Sequence, residues 1–184
     1  MEQLEKLAKL IRDKNKIETE IAGIIGRPSL IGHVGEYIAS HIFSIELEKS
    51  ANNKSIDGQF TEGSLSGKTV NIKWYGKQEG ILDITPDNLP DFYLVLTGPK
   101  SAAVSSRGTT RPWTINSVFL FDANELVTKL KENKVKIGVA TSVRSKKWED
   151  AMVYPIQHNS KLALSDGQKG LLQLFSEKKT ITLL

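Results

Sequence analysis

The chain has 184 residues, of which 39% are hydrophobic and 25% are charged, and its formal net charge at neutral pH is +4. This length and composition are typical of a globular protein with a sizeable hydrophobic core, and the mild positive charge is compatible with a polyanionic partner without requiring one. The absence of cysteine excludes disulfides and cysteine-ligated zinc, and it agrees with a reducing compartment.

The first predicted element is a long amphipathic helix over residues 2–25, where leucine and isoleucine recur at helical spacing until Gly26 and Pro28 end the pattern. The segment is charged and lacks the apolar centre of a secretion signal, and no apolar run approaches the roughly 20 residues of a membrane span. We therefore expect a soluble, cytoplasmic protein with no membrane partner. The apolar face of the helix either supports a homodimer or covers the protein's own sheet.

A second helix is predicted over about residues 30–48, with Ser29 as a favourable N-cap. It is apolar on most sides, yet it contains Gly32 and Gly35, each of which costs about 1 kcal/mol relative to alanine. We therefore expect this helix to pack very closely against a sheet.

Alternating apolar and polar residues then indicate a hairpin, with strands at 56–60 and 68–75 on either side of a glycine- and serine-rich loop at 63–67. A continuous apolar run at 91–97 is typical of a central strand. The remaining predictions are strands at 113–121, 137–143 and 180–184, a helix from a capping box at 122–125 to about 132, and a helix at about 167–175.

The second hairpin strand carries Asn71 and Lys73 on one face, opposite the face that carries Val70, Ile72 and Trp74. Asp57 precedes them on the other hairpin strand, so strand pairing would bring it near Asn71. Glu36 lies on the second helix beside Gly35, where small neighbours would let its carboxylate approach the sheet. Two carboxylates, an amide and an ammonium group therefore could converge at one end of the sheet.

Three segments carry a resemblance to a known family: "GEYIAS" (Gly35–Ser40), "SIDG" (Ser55–Gly58) and "VNIKW" (Val70–Trp74). In order, spacing and residue type they resemble the motifs of the PD-(D/E)XK, or restriction-endonuclease-like, nuclease superfamily. The resemblance implies an α/β fold with a restriction-endonuclease-like core, in which a mixed four- to six-stranded sheet is flanked by helices and preceded by an N-terminal helix. We expect a single nuclease-like domain over 1–184, divided into the N-terminal helix (1–26), the catalytic core (29–143) and a C-terminal helix and strand (144–184).

The resemblance also implies roles for the site residues. Asp57 matches the family's metal-binding aspartate, Lys73 the lysine near the attacking water, and Glu36 the helix glutamate that some members add to the metal site. Asn71 departs from the pattern, because the family normally has Asp or Glu there. An amide oxygen can bind a hard cation but brings no charge, so Asn71 indicates a weaker site, an engineered change from Asp, or a descendant that binds without cleaving.

The function implied is a metal-dependent phosphodiesterase, with Mg²⁺ as the cofactor and Mn²⁺ as a substitute. The leading interpretation is a DNA endonuclease of the type II restriction class, acting on double-stranded DNA as a homodimer. One alternative is a non-cleaving nucleic-acid-binding protein on the same fold. Another is a nuclease for RNA or for branched or damaged DNA.

Basic residues in loops are candidates for phosphate contacts. One loop contains Arg107 and Arg111, and Lys77 lies beside the proposed site. A second cluster contains Arg144, Lys146 and Lys147 next to Trp148, which either stacks on a base or anchors the core. Each cluster is equally compatible with a solvated surface loop.

Other classes of site are not supported by the sequence. The three histidines do not have metal-ligand spacing. The segment Ser64–Thr69 ends in Gly-Lys-Thr, but it lacks the earlier glycine of a phosphate-binding loop and no helix follows it. An NTPase and a histidine-based metal site are therefore not expected.

Overall fold

The computed structural model describes residues 2–49, 55–101 and 111–177, and in these ranges the chain forms a mixed six-stranded sheet flanked by helices. The helices are α1 (Glu2–Ile25), α2 (Ile31–Phe43), α3 (Ala123–Glu132), α4 (Ser145–Ala151) and α5 (Asp166–Gln173). The strands are β1 (Ile45–Leu47), β2 (Gly58–Phe60), β3 (Thr69–Tyr75), β4 (Ile81–Leu82), β5 (Phe92–Thr97), β6 (Ser117–Asp122), β7 (Thr141–Ser142) and β8 (Met152–Tyr154). The predicted α/β class with a mixed sheet is thus confirmed.

The strand order of the large sheet is β1-β2-β3-β5-β6-β8, and β4 pairs separately with β7. β3 runs parallel to β5, whereas the other neighbours in the large sheet are antiparallel. The hairpin predicted around residues 63–67 is confirmed as the β2–β3 connection, which contains a short 3-10 turn at Gly63–Leu65. This arrangement places β3 near the centre of the sheet, beside the short strand β2.

Two hydrophobic cores lie on opposite faces of the large sheet. Val70, Ile72 and Trp74 belong to the core that contains buried residues of α2, which confirms the predicted alternation along β3. The other core contains α3 and α4 residues together with Tyr93 and Val95 of β5. All six residues of β5 are buried, as expected for a strand that is covered on both faces.

The second predicted helix is shorter than the sequence suggested. Leu30, rather than Ser29, occupies its N-cap position, and no side chain caps the helix there. The helix ends at Phe43, where Ser44 adopts a left-handed conformation (φ 52°), and the next residues form β1 instead of continuing to residue 48. Pairing of β1 with β2 therefore overrides the local helical pattern.

The prediction that α2 packs closely against the sheet is correct at one of its two glycines. A Cβ atom on Gly35 would lie 3.0 Å from Cβ of Trp74, so a larger residue there would require α2 or Trp74 to shift. A Cβ atom on Gly32 would meet nothing within 4 Å, so the prediction of close packing is wrong at that position. The residue next to Gly35 is Glu36, and the contact with Trp74 therefore brings Glu36 towards the sheet.

The second half of the chain differs more from the sequence prediction. Helix α3 is confirmed, and Asp122 caps it by accepting a hydrogen bond from the N–H of Glu125 (3.0 Å). The predicted strand at 137–143 reduces to β7, the predicted strand at 113–121 begins only at Ser117, and α4 and β8 were missed. Helix α5 is confirmed and begins with a capping box at Ser165. The predicted strand at 180–184 lies outside the described residues.

Helix α1 matches the predicted bounds, but it does not cover the sheet. None of its residues is buried, and the large apolar residues Leu4, Leu7, Leu10, Ile11, Ile17 and Ile24 are exposed. The interpretation that this helix shields the protein's own core is therefore wrong. Within the described residues, no helix is both long and apolar enough to cross a membrane.

Candidate functional site

The candidate site lies along the edge of β3 where β2 stops. The β2 register ends with Gly58 opposite Val70, so the rest of β3 extends beyond its partner strand. Asp57 occupies this position: its N–H donates to the carbonyl of Val70 (2.9 Å), and its Oδ2 accepts from the N–H of Ile72 (2.6 Å). We refer to Glu36, Asp57, Asn71 and Lys73 as the β3-edge site.

Several charged groups act on the carboxyl of Asp57. Burial raises its pKa above the ordinary value and is the largest influence, while the hydrogen bond from Ile72 opposes it. The negative charge of Glu36 raises the pKa further, and the positive charges of Lys73 and Arg27 lower it. The structure therefore brings Glu36, Asp57 and Lys73 into one electrostatic neighbourhood.

Glu36 is already engaged by a residue that sequence reasoning missed. Arg27 lies in the connection between α1 and α2, and its Nη1 pairs with Oε2 of Glu36. The Glu36 side chain is 17% exposed, so the pair is partly withdrawn from water. No motif marked Arg27, because a pair across a chain reversal has no characteristic spacing.

Asn71 is buried, with 3% of its surface exposed, and its Oδ1 has no hydrogen-bond partner among the described residues. Continuing the β2–β3 register places Asp57 opposite Asn71, on the same face of the sheet. Buried carbonyl oxygens are almost always hydrogen-bonded, and leaving one unpaired costs about 1–3 kcal/mol. This oxygen is therefore a buried acceptor without a donor among the described residues, on the strand position that faces Asp57.

Lys73 follows Asn71 on the same face, and its side chain is half-buried. Among the described residues its amino group makes no ion pair, although its charge acts on Asp57. Glu36 comes from α2, which packs on the opposite face with Val70 and Trp74. Glu36 and Lys73 thus come from elements on opposite faces of the sheet, and the charges of both act on Asp57.

The possible metal ligands of the β3-edge site are of the kind that a hard divalent cation prefers, but they are few. In the described ranges, no group of three or more His, Cys, Asp or Glu side chains is arranged to hold a metal ion. The site instead offers two carboxylates and the unpartnered amide oxygen of Asn71, all of them hard oxygen ligands. Glu36 would have to release Arg27 to contribute to such a site.

Two of the predicted phosphate contacts lie near the far end of β3. Lys77 is half-buried just after the strand, and Arg111 lies against Gly76, where a Cβ would come within 3.0 Å of the arginine Cβ. Nη2 of Arg111 pairs with Oε1 of Glu79 at 3.0 Å. Arg107 lies outside the described residues.

The second basic cluster lies on α4, which packs over β6 and is separated from β3 by β5. Lys146 pairs with Asp150 (3.0 Å) and Lys147 with Glu125 (3.4 Å), while Arg144 is exposed at the start of the helix. Trp148 is 2% exposed and packs edge-on against Phe119 and Phe121. Its interpretation as a base-stacking residue is therefore wrong, since it anchors the core.

Comparison with known proteins identifies no relative of this chain. No protein-family model matches the chain, and no curated protein matches it significantly. The case for a function therefore depends on the geometry and electrostatics of the β3-edge site.

Proposed function

We propose that the protein is a Mg²⁺-dependent phosphodiesterase that acts on nucleic acid, most specifically a DNA endonuclease of the type II restriction class. The observation that carries the proposal is the convergence of Glu36 and Lys73 on the half-buried carboxyl of Asp57 at the β3 edge. Phosphodiester hydrolysis needs carboxylates to hold a cation and a positive group to offset charge that develops on the phosphate.

The proposal assigns a role to each residue of the β3-edge site. Asp57, Glu36 and the Oδ1 of Asn71 would hold Mg²⁺ or Mn²⁺, which when bound supplies a Lewis acid for the phosphate and lowers the pKa of water. Lys73 would donate hydrogen bonds towards the phosphate and the attacking water, since its amino group has no competing ion pair among the described residues. Double-stranded DNA would contact Lys77 and Arg111 beside the end of β3.

Asn71 sets the expected strength of the metal site. The neutral amide leaves two carboxylates where members of the resembled family with a helix glutamate have three, so we expect weak cation binding and slow or absent cleavage. Asn71→Asp should bind Mg²⁺ or Mn²⁺ more tightly in calorimetry and gain Mg²⁺-dependent cleavage, whereas Asp57→Ala should lose binding. Asn116→Asp is a matched control, because Asn116 also has an unpartnered buried Oδ1 but lies on the connection before β6. Equal affinity in all four proteins would remove the metal site.

Substitution of Lys73 tests the proposed role of this residue in cleavage separately from any role in DNA binding. In the Asn71→Asp background, Lys73→Ala should lower the cleavage rate by about 10²–10³, by analogy with the loss of an oxyanion donor, while DNA affinity changes little. Lys68→Ala is the control, because Lys68 lies immediately before β3 and is paired with Asp91 at 3.2 Å. A Lys73→Ala protein that cleaves at the parental rate contradicts the proposed mechanism.

A binding-only protein is the second candidate, and the ion pair between Arg27 and Glu36 favours it. An arginine that holds a prospective metal ligand reduces the negative charge available to a cation. The double change Arg27→Ala with Asn71→Asp removes both obstacles, so persistent nucleic-acid binding without cleavage in this variant would support the second candidate.

Nucleic-acid binding is tested by the salt dependence of the affinity, and the type of nucleic acid is tested with a panel of substrates. Arg111→Ala and Lys77→Ala should each weaken DNA binding and reduce the slope of log affinity against log salt by about one. Comparison of duplex DNA, branched DNA and RNA separates a restriction-type enzyme from the nucleases for other substrates. Cleavage confined to RNA or to branched DNA would contradict the restriction-type assignment.

A further inference from the structure

Helix α1 carries an apolar stripe that the rest of the described chain leaves mostly exposed. Leu10, Ile17 and Ile24 recur every seven residues and are 55%, 57% and 68% exposed. Leu7, Lys14 and Ile21 alternate with them at spacings of three and four, which completes a heptad pattern over three repeats. The helix is 24 residues long, or about 36 Å, so the stripe is long enough to pair with another helix.

The stripe borders a groove between α1 and the body of the protein. Leu10, Ile17 and Ile21 line one wall and Trp113 the other, and the groove holds about 390 Å³. The half-buried residues of α1, which lie towards the body of the protein, are Ala8, Glu18, Ile21, Ala22 and Ile25, so the stripe touches the body only at Ile21. A partner helix could therefore lie along the stripe while α1 keeps its own contacts.

We propose that α1 pairs with α1 of a second copy of this chain in antiparallel orientation. A parallel pair would place Lys14 against Lys14 of the other copy in the centre of the seam, and Asp13 beside Glu18. In the antiparallel pair, Leu7 packs on Ile17 and Lys14 on Leu10. Lys14 then keeps its own ion pair with Glu18, whose Nζ–Oε1 distance is 2.6 Å.

The charges that flank the stripe are complementary in the same orientation. Lys6 of each copy comes beside Glu20 of the other, which gives two opposite-charge pairs across the seam. Ile11 meets Ile11 at the twofold axis, and Asp13 meets Asp13 on the other side of it. This like-charged pair weakens the dimer without changing its orientation. The inference stands independently of the proposed catalytic activity.

The oligomeric state of the full chain tests the pairing. Sedimentation over a wide concentration range should show a monomer–dimer equilibrium. Ile17→Glu should raise the dissociation constant by about a hundredfold or more, because it buries an unpaired carboxylate in the seam. Ile17 is exposed, and glutamate is a good helix former, so circular dichroism should be unchanged. Val139→Glu, at a residue that is 89% exposed and lies away from α1, should leave the equilibrium unchanged. A wild-type protein that stays monomeric throughout overturns the proposal.

Single cysteines test the orientation, because the chain has none of its own. Ile11→Cys should form a disulfide-linked dimer on oxidation, since the two copies of residue 11 meet at the twofold axis. Ile24→Cys should not, because its two copies would be about 36 Å apart along the helix axis in the antiparallel pair. The reverse result, with Ile24→Cys cross-linked and Ile11→Cys unlinked, indicates a parallel pair and overturns the proposed orientation.

A charge exchange tests the pairs that flank the seam. Glu20→Lys should weaken the dimer several-fold, because Lys6 of the partner then faces a like charge. Combining Glu20→Lys with Lys6→Glu restores opposite charges and should restore the dissociation constant. A double variant that is as weak as Glu20→Lys alone contradicts the pairing of Lys6 with Glu20.

Discussion

Two aspartates bind backbone N–H groups of the same strand, yet their surroundings differ. At the start of β3, Asp91 accepts from the N–H and the hydroxyl of Thr69 (both 2.8 Å) and pairs with Lys68. Partial burial opposes ionisation there, but these hydrogen bonds and the lysine outweigh it and lower the pKa of Asp91. Further along β3, burial and the charge of Glu36 raise the pKa of Asp57 despite its bond to Ile72.

The difference separates a carboxylate whose ionised form is stabilised by its partners from one whose ionised form is disfavoured by its surroundings. The ionised form of Asp91 is fully partnered, so its negative charge strengthens the junction between β3 and β5. Asp57 is influenced by the charges of Glu36 and Lys73, and its burial disfavours the ionised form.

Cleavage should distinguish the two aspartates most strongly. In the Asn71→Asp background, Asp57→Ala should reduce Mg²⁺-dependent cleavage by about 10²–10³ or more, because a metal ligand is lost. Asp91→Ala, assayed at a temperature where circular dichroism shows it folded, should cleave DNA at nearly the parental rate. Equal losses in the two variants would mean that Asp57 has only a structural role.

The approach of α2 to the β3 edge should be sensitive to a single methyl group. Gly35→Ala places a Cβ 3.0 Å from Cβ of Trp74, and such overpacking typically costs about 1–3 kcal/mol. Gly32→Ala on the same helix has open space and should stabilise by about 1 kcal/mol through helix propensity. Urea unfolding measures both effects, and a Gly35→Ala protein as stable as Gly32→Ala would show that α2 can shift away from β3.

The structural aspartate should matter more for stability than the site aspartate. Asp91→Asn loses charge-assisted hydrogen bonds to Thr69 and Lys68 and should destabilise by about 1–2 kcal/mol, a value reduced by partial solvent exposure. Asp57→Asn removes a disfavoured charge and should be neutral or stabilising at neutral pH. Urea unfolding at pH 7 measures both, and a larger loss for Asp57→Asn would reverse the comparison.

The smallest effect is a difference in pH dependence between the same two variants. Asp91 has a lowered pKa, so its stabilisation is present above its ordinary pKa of 3.8 and is lost as the pH falls through the folded value. Asp57 has a raised pKa, so its contribution is fully present below 3.8 and is lost as the pH rises through the folded value. The stability deficit of Asp91→Asn should therefore shrink on acidification, while any gain of Asp57→Asn should shrink too. A gain for Asp57→Asn that grows towards low pH would contradict the raised pKa.

Much of the fold follows from local pattern, and the exceptions have physical causes. The apolar repeat of α1, the alternation of β3 and the apolar run of β5 each reflect one dominant periodicity, so their types were predictable. Residues 45–47 read as helix because their strand character depends on pairing with β2, which local sequence does not encode. Helix α4 was also missed. Its basic residues suggested a loop, whereas the helix is anchored to the core by the buried side chain of Trp148.

The same distinction applies to the β3-edge site. Asp57, Asn71 and Lys73 were found because a hairpin fixes which residues of two strands lie together. The ion pair from Arg27 to Glu36 was not found, since it depends on how α1 and α2 reverse direction. The burial of Asn71 was also unexpected. The sequence places Asn71 on the face of β3 opposite Val70 and Ile72, but it does not show that a second hydrophobic core covers that face.

The absence of buried residues in α1 has a consequence for local stability. A helix that contributes no residue to either hydrophobic core can open without disrupting them, so its opening free energy should lie well below that of global unfolding. Its amide protons should then exchange with solvent much faster than those of β5, whose residues are all buried. If two copies associate through this helix, its protection should rise with protein concentration while that of β5 stays constant, so hydrogen exchange would report association residue by residue.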